Sequence, residues 1–171
     1  MDFYFMVGNN GCGSFSHAFI PCLFGNLLPG TYPACSYQKS VKPLAQIDLR
    51  DRDGAFFVHV QNNGVGPMTI DRLTFTKGQE SYSRIQDSLD IDPKLYSHVD
   101  VSDTNKKVIV PGGFLVVFSE ILDPADNTER VALFRQQLSA LHLKVEGHDI
   151  YDNRIAIEKS LNWFARHLKN G

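Results

Sequence analysis

Apolar and polar residues alternate over much of the chain, and the longest such stretch runs from Ala55 to Phe75. Phe56, Val58 and Val60 share one face of a predicted strand, while Phe57, His59 and Gln61 share the other. Asn62-Asn63-Gly64-Val65-Gly66-Pro67 follows, and a second strand begins at Met68. Met68 and Ile70 alternate in one phase, Leu73 and Phe75 in the opposite one. An extra residue at Asp71-Arg72 would make that switch, so a β-bulge is expected there. Together the two strands read as a central hairpin. Gly64 or Gly66 is expected at positive φ, and Asn62 or Asn63 bonded to backbone inside the turn.

The same reading extends outward from this pair. Ile47 and Leu49 mark a first strand, and Asp53-Gly54 is a tight hairpin signal after it. Tyr82, Ile85 and Leu89 recur at helical spacing and predict a short helix, ended by Asp92-Pro93. Val99 and Val101 hint at a short strand. Val108-Ile109-Val110 and Phe114 to Phe118 read as a strand pair around Pro111-Gly112-Gly113, the latter strand central because it is apolar on both faces. Asp126 and Glu129 form a capping-box pattern before a helix whose inner face holds Val131, Phe134, Leu138 and Leu141. Leu141, Leu143 and Val145 return to a period of two. Gly147 to Asn153 reads as a turn, Ile155 and Ile157 open the last strand, and Trp163 and Phe164 pack the chain end. The prediction is a mainly β fold: an antiparallel β-sandwich with two short inserted helices.

Composition divides the 171 residues in two. Met1 to Tyr37 carries one charged side chain, Asp2, and all three cysteines; every Lys and Arg lies at Lys39 or later. The expected organisation is therefore a hydrophobic, Gly/Pro-interrupted extension over residues 1–40 and a sandwich domain over residues 41–168. The extension has too many interruptions for a transmembrane helix and lacks the basic start of a signal peptide. Contact with a membrane through residues 1–37 remains open as an expectation. A net charge of −2 without a basic stripe excludes a nucleic-acid partner.

The N-N-G-V-G-P segment between apolar strands, the Pro-Gly turn before another apolar strand, and His148-Asp149-Ile150-Tyr151 near the end carry a resemblance. They resemble an uncharacterised group of bacterial proteins, in which a strand ending in N-N-G-x-G-P opens an immunoglobulin-like sandwich domain. A hydrophobic N-terminal anchor often precedes the domain in that group. The resemblance spans roughly Val41 to Phe164 and implies an immunoglobulin-like fold. It implies no activity.

Candidate chemistry is sparse. Asp51-x-Asp53-Gly54 lacks the remaining ligands of a calcium loop and reads as a turn. Gly8 to Ser14 has no Lys-Ser/Thr after it, so a phosphate loop is not expected. Cys12, Cys22, Cys35 and His17 lack the paired spacing of a zinc site, and no metal or cofactor is expected. His59 reads as a packed or surface strand residue. His142, His148, Asp149 and Tyr151 form the most chemical-looking cluster, with His142 on the solvent face of its strand and His148-Asp149 in a turn. No nucleophile stands in a recognisable setting, so no catalytic residue is assigned.

These readings point to a non-enzymatic sandwich module that binds a protein or small-molecule ligand, in an envelope-associated protein. Its candidate binding residues are Asn62, Asn63, His148, Asp149 and Tyr151. Two alternatives stand beside it: a small enzyme built on His142, His148 and Asp149, and a membrane-associated sensor.

Overall fold

The computed structural model describes residues 41–122 and 128–168. The cysteines, His17, the Gly8–Ser14 segment and the Asp126 cap lie outside them. Two antiparallel sheets enclose the core. The first holds β1 (Ala45–Arg52), β2 (Ala55–Asn62) and β6 (Phe114–Ile121) in the order β1-β2-β6. The second holds β3 (Met68–Lys77), β4 (Glu80–Tyr82), β7 (Leu141–Asp149) and β8 (Arg154–Ser160) in the order β4-β3-β7-β8, with β5 (Lys107–Ile109) paired to β3. Helix α1 (Ile85–Ser88) follows β4, and helix α2 (Thr128–Ser139) connects β6 to β7.

Alternation works as the sequence predicts within each strand. Along β7 every second residue is buried, from Leu141 through Leu143 and Val145 to Asp149. Phe56, Val58 and Val60 of β2 meet Leu73 and Phe75 of β3 and Leu143 and Val145 of β7 in one hydrophobic core. Phe134 and Leu138 of α2 and Phe164 of the 3₁₀ segment Leu161–His167 close it, with Phe56 and Phe134 rings 6.1 Å apart. Removing such a side chain from water contributes about 1.5–3 kcal/mol, which is why these faces choose the interior.

Asp53 and Gly54 join β1 to β2 with φ of 54° and 75°, and Arg52 pairs directly with Ala55. Two positive φ values in a two-residue loop define a type I′ turn, whose twist suits paired strands. The bulge also falls where the phase switch placed it: β3 shifts register against β7 between Ile70 and Arg72.

Strand partners depart from expectation. The Ala55–Phe75 stretch is not a hairpin, because β2 pairs with β1 and β6 while β3 pairs with β4, β5 and β7. Residues 63–67 carry the chain from one sheet to the other. Nor do Gly64 and Gly66 take positive φ. They are glycines because the segment leading into β1 passes too close: a Cβ on Gly64 would lie 2.4 Å from the Lys42 oxygen, and one on Gly66 2.2 Å from that of Val41. Likewise β5 and β6 are not a pair but go one to each sheet, and β6 lies at an edge of its sheet. Its run of apolar residues on both faces comes instead from a register shift against β2 between Val58 and His59, which lets Leu115 and Phe118 both face the core opposite Val60 and Val58, while Phe114 is exposed. Helix α1 stops before Leu89, Val99 and Val101 form no strand, and β7 runs on to Asp149, leaving a turn of residues 150–153 only.

Candidate functional site

Asn62 ends β2, is fully buried, and uses its side chain in four hydrogen bonds. Its amide nitrogen donates to the carbonyls of Gly66 (2.7 Å) and Ile109 (3.1 Å). Its amide oxygen accepts from the backbone N–H of Leu44 (3.2 Å) and Gly64 (3.0 Å). The backbone N–H of Asn62 donates to Gly113 and its carbonyl accepts from Gly112. Three segments, 41–44, 63–67 and 110–113, are thereby braced by one residue. Such full pairing is what a buried amide requires, because an unmatched one costs about 1–3 kcal/mol. Asn63 is exposed and donates to Gln46 at 2.9 Å.

Asp149 performs the same task for the turn of residues 150–153. Its carboxylate accepts from the backbone N–H of Tyr151 (2.8 Å) and Asn153 (2.9 Å) and from the Asn153 side chain (2.8 Å). Burial pushes this carboxyl up, but those hydrogen bonds and the charge of Lys42 outweigh it and hold the group below its ordinary value. Met68 pairs with both Ile109 and Asp149, so the braced segments gather at one end of the sandwich.

That end is apolar. Eleven large apolar side chains are exposed among the described residues; Leu95, Ile121, Leu133 and Leu168 are scattered elsewhere. The other seven gather here: Leu44, Val65, Val110, Ile150 and Tyr151 on the four segments, and Val108 and Phe114 on adjacent strand positions. Single exposed apolar residues are ordinary, but a gathered set marks an interaction surface. The candidate residues Asn62 and Asp149 form its frame, and Tyr151 belongs to its surface.

A second, polar feature sits at the bulge. The extra residue turns both Asp71 and Arg72 outward, between two open clefts of about 390 and 550 Å³. His148 Nδ1 donates to Asp71 at 2.7 Å, and Lys106 Nζ lies 2.7 Å from the other carboxylate oxygen. The Lys106 hydrogen bond lowers the Asp71 pKa most; burial opposes it, and His148 adds to the lowering. The smaller cleft is lined also by Glu146, Asp152 and Arg154.

The suggested trio of His142, His148 and Asp149 is not assembled. His148 and Asp149 are neighbours on β7, not turn residues, and therefore face opposite sides of the sheet. His142 lies six residues back along the strand, on the order of 20 Å away, with its Nε2 3.7 Å from Glu158. Sequence reasoning missed Asp71 as the partner of His148; the phase switch at the bulge was the available signal. His59 is ring-stacked between Phe57 (4.2 Å) and Phe114 (4.7 Å) on the outer face of the β1-β2-β6 sheet.

Among the described residues no group of His, Cys, Asp and Glu could hold a metal ion, and no helix is long and apolar enough to cross a membrane. No protein-family model matches the chain, and no curated protein matches it significantly.

Proposed function

We propose that this domain is a non-enzymatic binding module, the ligand-binding part of an envelope-associated protein, whose contact surface is the apolar pole framed by Asn62 and Asp149. The observation that carries the reading is the gathering of seven of the eleven exposed large apolar residues among the described ones, five of them on segments that those two side chains brace and two on adjacent strand positions. A braced surface loses little conformational entropy on binding, which favours affinity. The strand order supports an immunoglobulin-like domain: β1-β2-β6 corresponds to strands A-B-E, and β4-β3-β7-β8 to C′-C-F-G. In such domains loops at one end of the sandwich commonly bind. Strand β5 departs from that pattern by pairing with β3 and not with β6.

A second reading, a small enzyme, has the His148–Asp71 pair in its favour. The smaller cleft beside that pair is lined by no Ser, Thr or Cys, which leaves a water-activating role there, while the larger one, lined also by Asp71, holds Ser83 and Ser102.

An apolar reporter dye, anilinonaphthalene sulfonate, tests the leading reading. Its fluorescence should rise with the native chain and fall back in Val65→Asp and Val110→Asp variants of unchanged melting temperature. A broad hydrolase and nucleotide screen should be blank. Turnover abolished by His148→Ala, or dye binding indifferent to both pole substitutions, would overturn it.

A further inference from the structure

We propose that the apolar pole rests on a lipid bilayer surface; this deepens the binding-module reading and depends on it. Three observations lead there. The chain enters the domain at the pole itself, through Val41–Leu44, and the 40 residues before that point carry only Asp2 and Lys39 as charged side chains. The covalent lead into the pole is thus the part of the sequence most compatible with lipid.

The pole is also nearly free of charge. Residues 41–44, 63–67, 110–113 and 150–153 contain only Lys42 and Asp152 as charged side chains. Leu44, Val65, Val110 and Ile150 are each more than half exposed and line neither of the two clefts at the bulge, so they project from the surface. Projecting apolar loops with a tyrosine suit the boundary between headgroups and acyl chains, where Tyr and Trp concentrate.

Finally, much of the loops' N–H complement is already paired. Asn62 and Asp149 take up N–H and C=O groups that would otherwise need water. A nonpolar medium penalises every unpaired backbone group, so a loop entering it must satisfy them internally.

The test uses the full chain with neutral phosphatidylcholine vesicles. Val65→Trp places a reporter at a position already two-thirds exposed (66%). Its emission should shift to the blue on vesicle addition and be quenched by lipids brominated on the acyl chains, beyond the response of the wild-type chain. Val65→Asp with Tyr151→Asp should lower vesicle partitioning on the order of tenfold or more, since two buried side chains are withdrawn. Unchanged melting should accompany it. Vesicle flotation without quenching, insensitive to the Asp substitutions, would mean that residues 1–40 bind lipid without the pole, and overturns the inference. So would no flotation together with pole-dependent self-association or pole-dependent binding of a protein. In either case retained dye binding at the pole leaves the binding-module reading standing. Loss of pole-dependent dye binding as well removes both.

Discussion

The side-chain amide of Asn62 donates to the carbonyl of Ile109, 47 residues further along the chain and in the other sheet. One asparagine therefore couples the end of β2 to β5 while shaping the crossing loop from β2 to β3.

Asn62→Ala should be among the most destabilising single substitutions in the domain. It strips partners from the Gly66 and Ile109 carbonyls and from two backbone N–H groups, at about 1–3 kcal/mol for each group left buried and unpaired. A loss on the order of 3 kcal/mol or more is expected from urea titration. Asn62→Asp should be no rescue, because it sets an acceptor against two carbonyls. A loss below about 1 kcal/mol for the alanine variant would show that water replaces the clamp.

The glycines of the crossing loop give a separate test of crowding against conformation. Gly66→Ala should cost on the order of 1–3 kcal/mol through collision with the Val41 carbonyl, although its φ is not positive. Gly78, at φ 63° with open space around its Cβ position, should lose only about 1 kcal/mol as Ala, from backbone strain. Thermal melts of the two variants should rank in that order.

Asp51 is buried at the end of β1 and accepts two hydrogen bonds from Arg135 of α2, at 2.8 and 3.0 Å. The guanidinium also lies 5.8 Å from the Phe56 ring centre. Arg135→Met keeps much of the packing but takes the guanidinium from a buried carboxylate. A loss of about 3 kcal/mol is expected, and replacing both residues by apolar ones should recover much of it. Denaturant curves of the single and double variants decide this.

His59 gives the domain a pH dependence near neutrality. Burial between two phenylalanine rings lowers its pKa below 6.5, with Asp48 partly opposing the shift. The unfolded chain then binds the proton first as pH falls. The associated stability is complete above about 6.5 and is lost as pH drops from there through the lowered folded value. Melting temperature should thus fall between roughly pH 7 and pH 5, and His59→Gln should flatten that part of the profile. Asp71 and Asp149 act lower. Both folded pKa values are depressed, so their contributions hold above the unfolded carboxylate value near 3.9 and vanish in more acid solution.

What the sequence determined by itself was local. The period of two told which side of each strand faces the core, Asp53-Gly54 named its turn, and the phase switch located the bulge at Asp71. Each depends on neighbours within a few residues, whose sterics and solvation are readable one position at a time. Strand partnership was decided only by the tertiary structure. Alternation in β2 and β3 says that both have a buried face but not whether they share a sheet, and both arrangements leave the pattern unchanged. The sandwich chose to bury β2 against β3, which demanded a crossing loop, a buried Asn62 to satisfy it, and glycines at 64 and 66 for the close passage of residues 41–44. The candidate site divided in the same way. His148 was visible as a polar residue near the end of a strand, but Asp71, 77 residues earlier, became its partner only through the pairing of β3 with β7. The pole, too, is assembled from four segments far apart in the chain, and no local pattern records that they meet.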